Sequence, residues 1–108
     1  MRRLTTSNRN RYDIYAEVLM VLRFYEEAGI SQIGRRANVP LDRARSVVQF
    51  MISRGLIVKF ENQEKRPKYL YKSTTRGDKY LELYKDLSIL VVETTEEELD
   101  LLDKELME

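Results

Sequence analysis

Four side chains in the middle of the chain carry strong hydrogen-bonding groups at close spacing: Arg43, Arg45, Ser46 and Gln49. If the segment around them is a helix, all four lie outside its apolar stripe and share its exposed side. A guanidinium matches the acceptors of guanine, an amide matches adenine, and a hydroxyl suits either base. This set therefore has the chemistry to read base edges in DNA. An ordinary solvated helix face is the alternative, and the helix alone does not exclude it.

A second group of cations has the chemistry to hold phosphates. Two of them, Arg35 and Arg36, precede the proposed helix, and three more follow it in a polar stretch: Lys65, Arg66 and Lys68. Lysine and arginine bind phosphate oxygens and so position a protein on the duplex without reading its sequence. We therefore expect contacts to the DNA backbone from both sides of a base-reading helix. A solvated loop without a role is the alternative for the last three.

The elements that must position these side chains follow the order of a helix-turn-helix. A short helix is predicted to end near Ala37, and a second one to run from Leu41 to Arg54 and stop at Gly55, since glycine tolerates the left-handed backbone that ends many helices. In this motif the second helix enters the major groove. Its buried stripe is predicted at helical spacing and comprises Leu41, Ala44, Val47, Val48, Met51 and Ile52.

A hairpin with a basic loop is predicted directly after the second helix. Residues 56–60 are rich in β-branched and aromatic side chains, residues 61–68 are polar, and residues 69–72 alternate as a return strand. A strand, a basic loop and a second strand after a helix-turn-helix define the winged-helix plan. The predicted fold class is therefore mainly α with a small β-hairpin, a winged helix-turn-helix with a C-terminal dimerisation helix.

The run from Ile30 to Ile57, which ends in Arg-Gly-Leu-Ile, resembles the small archaeal winged-helix DNA-binding proteins. Residues 69–81 are similar to a second hallmark of that family, in which a tyrosine-containing strand leads through Thr-x-x-Gly into a final helix. The resemblance covers roughly residues 10–91. It implies a transcriptional regulator or a chromatin-type protein that pairs its long C-terminal helix with that of a second copy. A polar Glu93-Thr94-Thr95 break departs from the family pattern.

Two helices carry the apolar residues that suggest a dimer. Helix one is predicted from Arg11 to Ala28 with a core face and a surplus, Tyr15, Leu19 and Phe24, that we assign to a dimer interface rather than to burial on two sides. After a capping box at Thr75, the C-terminal helix has a heptad-like stripe formed by Tyr80, Tyr84, Leu87 and Val91. The alternative is that these helices fold back on their own domain. A second capping box, Thr95 with Glu98, opens a predicted last helix.

The charge of the chain is divided between its two ends. Residues 1–76 hold 16 of the 19 Lys and Arg and 7 of the 18 Asp and Glu, a balance of +9, whereas residues 77–108 carry −8. Such a split suggests a nucleic-acid face at one end. We expect a basic N-terminal arm over residues 1–10, a DNA-binding domain over residues 11–76, and a dimerisation segment with an acidic end over residues 77–108. A plain soluble tail is the alternative for the arm.

The composition argues against catalysis and against a membrane protein. The chain has no histidine and no cysteine, so the commonest general base, the thiol nucleophile and the usual zinc ligands are absent. No apolar run approaches the length of a bilayer span. We expect no enzyme activity, no cofactor and no metal, a homodimer on double-stranded DNA, and a cytoplasmic, nucleoid-associated protein. Low-specificity architectural binding and a winged helix used for protein–protein contacts remain the alternatives.

Overall fold

The computed structural model describes residues 9–64 and 66–92, the last of these by its backbone only. Over these residues the order of elements is α1 (Arg11–Tyr25), α2 (Ile30–Ala37), α3 (Leu41–Ser53), β1 (Ile57–Glu61), β2 (Tyr69–Ser73) and α4 (Thr75–Val92). The two strands pair antiparallel, with Lys59 opposite Tyr71. This is the predicted arrangement of helices and hairpin, which confirms the fold class. Residues 1–8 of the predicted basic arm and the predicted last helix, which opens at Thr95, lie outside the described residues.

Helix α1 begins at a capping box and ends earlier than predicted. The Asn10 side chain accepts a hydrogen bond from the Asp13 amide, and the Asp13 carboxylate accepts one from the Asn10 amide. The predicted end at Ala28 is wrong, because the helix stops at Tyr25 and Glu26 takes a φ of 70°. Ala28 instead exchanges two backbone hydrogen bonds with Tyr71 in β2, of 3.1 and 2.8 Å. Pairing with the hairpin thus replaces the last turn of the helix.

The turn between α2 and α3 is tight and left-handed at one residue. Asn38 has a φ of 57°, a conformation that asparagine tolerates better than most residues. The amide of Val39 then donates to the Gly34 carbonyl at 2.8 Å, which closes the end of α2. Pro40 precedes the first residue of α3, where its fixed φ suits a helix start. The turn therefore fixes the direction in which α3 leaves α2.

The core is built on one side of α1 and closed by the other elements. Its fully buried large side chains come from α1, α2, α3 and β1, and they are Ile14, Val18, Leu19, Leu22, Ile33, Met51 and Ile57. The assignment of Tyr15 and Leu19 to a dimer interface is wrong, because both are buried inside this one chain. Tyr15 stacks on Phe50 with ring centroids 5.4 Å apart. Of the predicted surplus only Phe24 stays in solvent, at 78% exposure.

Helix α3 buries the centre of its predicted stripe and leaves the ends partly open. Ala44, Val48 and Met51 are buried, whereas Val47 and Ile52 are partly buried. Leu41, predicted as the first residue of the stripe, is 41% exposed because it stands in the first turn, beyond the edge of the core. At the other end Gly55 has a φ of 74°, as predicted from its place after the helix. The polar side of α3 consequently faces away from the domain.

Helix α4 starts with a cap one residue earlier than predicted. The hydroxyl of Thr74, not that of Thr75, accepts from the Gly77 amide at 3.0 Å and donates to the Gly55 carbonyl at 2.6 Å. Asp78 accepts from the Ser73 hydroxyl instead of completing a capping box. A Cβ placed on Gly77 would lie 2.1 Å from the Leu56 carbonyl oxygen, so only glycine fits this approach. The hydrogen bond from Thr74 to Gly55 thereby joins the connection between α3 and β1 to the connection between β2 and α4.

Candidate nucleic-acid interface

The polar side of α3 is exposed over its whole length. Arg43, Arg45, Ser46 and Gln49 all lie in solvent, and Ser46 makes one long hydrogen bond back to the Asp42 carbonyl at 3.4 Å. At about 100° per residue, Ser46 and Gln49 point most directly away from the buried stripe. Arg43 and Arg45 are about 160° apart around the helix axis, so they occupy its opposite flanks. The four predicted residues share the exposed face without forming one cluster.

The two flanks of α3 border two different grooves. Arg45 and Gln49 line a groove between α3 and the hairpin together with Lys59 of β1. On the other side, Arg43 and Ser46 line a groove between α3 and the start of α1 together with Arg11. In the part of the chain that the structure describes, no acidic side chain belongs to either lining. Each flank arginine therefore shares its groove with a second cation from a neighbouring element.

Lys59 and Arg11 are the two residues that the sequence analysis did not select. The alternation of side chains along β1 could have identified Lys59, because it places Lys59 on the same face of the hairpin as Tyr71. Its ammonium lies 4.1 Å from the centroid of the Tyr69 ring, a cation–π contact that directs the side chain. Arg11 is the first residue of α1, as the sequence predicts. Its guanidinium stands 5.2 Å from the Tyr12 ring centroid.

The predicted phosphate-binding residues of α2 are exposed in its last turn. Both Arg35 and Arg36 are exposed. The guanidinium of Arg36 stands over the Tyr25 ring at 5.3 Å, which turns it toward the end of α1 rather than toward α3. Cations in the last turn also interact favourably with the negative end of the helix dipole. This part of the basic surface consequently has a structural role of its own.

The loop of the wing is organised by one asparagine. The Asn62 side chain donates to the Pro67 carbonyl at 2.8 Å and accepts from the Glu64 amide at 3.1 Å. Arg66 and Lys68 are exposed on this loop, and the Lys68 ammonium lies 5.4 Å from the Tyr69 ring. The remaining predicted wing residue, Lys65, lies outside the described residues. Two predicted wing cations thus stand at the end of the hairpin that is farther from the core.

The Arg9 side chain binds groups of its own domain and is therefore not available to the proposed basic arm. Its guanidinium donates to the Glu17 carboxylate, to the Ala37 carbonyl at 2.6 Å and to the Asn38 carbonyl at 2.7 Å. The Arg9 side chain is only 11% exposed. It satisfies carbonyls at the end of α2 that the helix itself leaves open. The arm predicted over residues 1–10 therefore loses Arg9 as a DNA contact.

The predicted dimer stripe of α4 divides into a covered half and a bare half. Tyr80 donates to the Tyr12 carbonyl at 2.7 Å, and Tyr84 donates to the Asp13 carboxylate at 2.5 Å. Helix α1 of the same chain therefore covers part of this half, and the assignment of Tyr80 and Tyr84 to a dimer interface stays a prediction. Leu87 and Val91, by contrast, are 64% and 76% exposed. The bare half continues in two more exposed apolar side chains, Leu83 and Ile89.

Packing against α1 also raises the pKa values of Tyr80 and Tyr84. Burial raises the pKa of Tyr80 to about 12, with the nearby Tyr15 and Asp13 adding to the effect. Burial, followed by the hydrogen bond to Asp13, raises the pKa of Tyr84 to about 12. Both phenols therefore stay neutral hydrogen-bond donors well above neutral pH.

A helix-turn-helix followed by a two-stranded wing, with basic side chains along the exposed second helix, defines a winged-helix protein. The family model described as winged helix-turn-helix matches residues 8–91, and the chain belongs to that family. This confirms the winged-helix part of the resemblance, whereas the archaeal branch stays a prediction. No curated protein sequence matches the chain significantly. No helix among the described residues has the length and apolar character to cross a membrane.

Solved structures with the same fold come from regulators of several bacteria. BpsR of Bordetella bronchiseptica, described with the regulation of its DNA binding by 6-hydroxynicotinic acid, superposes with a TM-score of 0.66 at 16% identity, over 96% of this chain and 81% of that chain. An E. coli MarR mutant complexed with operator DNA gives 0.61 at 20% identity, over 86% and 71%. Streptococcus pneumoniae FabT in complex with DNA gives 0.63 at 19% identity, over 86% and 68%. At these identities the likeness establishes the fold.

Proposed function

We propose that this protein is a homodimeric transcriptional regulator that binds double-stranded DNA with sequence preference. The observation that carries the proposal is the exposed polar face of α3, with an arginine on each flank and cations on α2 and on the wing around it. Similar folds have been solved with DNA bound, which supports the same placement of α3 in the major groove. The protein then works in the cytoplasm on the nucleoid.

In this proposal the exposed residues of α3 face the bases and the cations around them hold the backbone. Ser46 and Gln49 have the hydrogen-bonding groups for base edges, with Arg43 and Arg45 beside them. Arg35, Arg36, Lys65, Arg66 and Lys68 contact phosphates. No catalytic step, metal or cofactor enters the proposal, because a regulator of this kind acts by occupying its site.

The dimer part of the proposal rests on the bare half of α4. Leu87 and Val91 lie one helical turn apart, exposed, and Leu83 precedes Leu87 by another turn. Apolar side chains in such a row are stabilised when a second helix covers them. A second copy of α4 offers the same row, and the resemblance implies such pairing. We therefore assign this row, and not Tyr80 or Tyr84, to the centre of the dimer interface.

The decisive test is selection of bound duplexes from a random DNA pool, followed by titration at several salt concentrations. We expect an enriched inverted repeat whose half-sites are separated by about 10 base pairs or a multiple, as a two-fold dimer requires. If each subunit neutralises about four phosphates, the slope of log affinity against log salt is near −7 for the dimer, from about −0.9 per phosphate.

Two other outcomes would replace the proposal. Steep salt dependence without any enriched sequence would indicate a low-specificity architectural protein, since phosphate contacts alone carry no sequence information. Duplex binding that is absent or insensitive to salt would instead indicate a winged helix used for protein–protein contacts. An acidic partner would then occupy the basic face.

A further inference from the structure

We infer that the two grooves beside α3 are phosphate clamps, each closed by one flank arginine and one cation from a neighbouring element. Arg45 works with Lys59 of β1, and Arg43 works with Arg11 at the start of α1. The ligand in each groove is a backbone phosphate of duplex DNA. This inference rests on the proposed function, adds Arg11 and Lys59 to the interface, and moves both flank arginines from base reading to backbone binding.

An α-helix with its side chains nearly fills the major groove of DNA. The major groove is about 12 Å wide, and an α-helix with its side chains is about 10–12 Å across. A helix in the groove therefore presents its outermost residues to the bases and its flanks to the two sugar–phosphate walls. Arg43 and Arg45 lie about 70–90° from the direction opposite the buried stripe, whereas Ser46 lies within about 15° of it.

Each flank arginine has a cationic neighbour across its groove. Lys59 lines the same groove as Arg45, and its ammonium is held over the Tyr69 ring. Two cations facing one groove without an acid in its described lining attract an anion, and a phosphate takes hydrogen bonds from both. Glu61 follows Lys59 on the same face of the hairpin, but it stands farther toward the loop and outside this lining.

The opposite groove repeats the arrangement with different elements. Arg11 is the first residue of α1, and Arg43 is the third residue of α3. Both line one groove whose apolar side is formed by Tyr15, Val47 and Phe50. Tyr15 stacks on Phe50, so the wall between the two cations is packed against the core.

The exposed side of α3 carries one acid along its outermost line. Asp42 is exposed within about 30° of the direction opposite the buried stripe, in line with Ser46 and Gln49. A carboxylate there repels a phosphate, whereas it accepts a hydrogen bond from the amino group of cytosine. The outermost residues of α3 can therefore hydrogen-bond to base edges, whereas the arginines on its flanks can bind phosphates. Sequence preference then depends on Asp42, Ser46 and Gln49.

The test compares single variants on a selected duplex and on a scrambled duplex of equal length. For Lys59→Ala and for Arg11→Ala we expect equal fold-losses of affinity on both duplexes. The slope of log affinity against log salt should fall in magnitude by about 0.9 per subunit for each clamp phosphate that is lost. Lys72→Ala is the matched control for Lys59, because Lys72 lies in the same hairpin beside the Phe60 ring and outside the groove. Lys85→Ala on α4 is the control for Arg11.

Arg45→Lys separates the two roles of a flank arginine. A lysine still binds a phosphate as a point charge but lacks the rigid planar fork that arginine presents to guanine. We expect this variant to keep the sequence preference of the unmodified protein and most of its affinity, whereas Gln49→Ala should lose preference. Thermal unfolding midpoints equal to that of the unmodified protein verify that the exposed substitutions leave the fold intact.

The outcomes are distinct for this inference and for the proposed function. If the unmodified protein binds duplex DNA with a steep salt slope but Lys59→Ala and Arg11→Ala leave that slope unchanged, the clamps are refuted and the proposed function stands. A selective loss of the preferred duplex in Arg45→Lys likewise overturns the inference, since it assigns Arg45 to a base. If the unmodified protein binds no duplex, the proposed function itself fails.

Discussion

Replacing Arg9 by methionine should destabilise the fold far more than the same replacement at Arg23. Methionine keeps an unbranched side chain but removes the guanidinium, and with it the donors to Glu17 and to two carbonyls at the end of α2. The Arg9 and Glu17 side chains are only 11% and 14% exposed, so water restores little of what is lost. Breaking a largely buried pair with these added hydrogen bonds costs about 3 kcal/mol.

Arg23 provides the matched comparison on the surface of the same protein. Its guanidinium lies 3.3 Å from the Asp78 carboxylate, with the two side chains 56% and 47% exposed. An exposed pair of this kind contributes about 0–1 kcal/mol. Both variants lose one charge and gain one thioether, so the difference between them reports burial and hydrogen bonding rather than side-chain chemistry.

The assay is equilibrium unfolding by urea and by heat, followed by circular dichroism. At about 4 °C per kcal/mol for a domain of this size, Arg9→Met should lower the midpoint by about 12 °C and Arg23→Met by about 4 °C or less. A double-mutant cycle with Glu17→Gln should show coupling of about 1 kcal/mol or more at Arg9. Equal losses at the two positions would refute the reasoning that the Arg9 contacts hold α2 in place.

Three further predictions concern other parts of the fold. Gly77→Ala should cost about 3 kcal/mol in the free energy of unfolding, because its Cβ would meet the Leu56 carbonyl oxygen at 2.1 Å. Gly55→Ala should cost less, about 1–2 kcal/mol, because the nearest atom there is 3.5 Å away and the cost comes from its φ of 74° alone; equal losses in urea titrations would contradict the close approach at Gly77. Leu87→Glu should convert a dimer into a monomer in analytical ultracentrifugation while Lys85→Glu does not, and a monomeric unmodified protein at micromolar concentration would end the dimer proposal. Since the pKa values of Tyr80 and Tyr84 rise from about 10 to about 12 on folding, their contribution to stability is complete below about pH 10 and is lost as the pH rises toward 12. The double variant Tyr80→Phe and Tyr84→Phe should flatten this alkaline loss, and an unchanged pH profile would show that the two phenols are not its source.

The sequence predicted the elements because local signals and burial agreed along most of the chain. The apolar spacing of residues 44–51 and the glycine at position 55 correctly placed α3 and its end. The end of α1 was mispredicted because Ala28 continues a helical pattern, while its backbone pairs with Tyr71, more than forty residues later. Such a pairing depends on tertiary structure, and nothing in the local pattern of α1 signals it.

The candidate site could be predicted only in part for the same reason. The polar face of α3 follows from its periodicity, so its exposed residues were recognised. The grooves beside it are formed by Arg11 and Lys59, which lie on other elements and come close only in the folded chain. The sequence also does not predict which half of the α4 stripe packs against α1. Heptad spacing identifies tyrosine and leucine alike as apolar positions, and only the folded chain shows which of them α1 covers.

The two hydrogen bonds from α4 to α1 also bear on the order in which the chain folds. Tyr80 and Tyr84 reach back across 68 and 71 residues to Tyr12 and Asp13. Contacts of such long separation require a large loss of chain entropy before they form, whereas the turn between α2 and α3 and the hairpin close short loops. We therefore expect the helix-turn-helix and the wing to form first and α4 to dock last. Tyr84→Phe should then accelerate unfolding in stopped-flow experiments and leave the folding rate nearly unchanged.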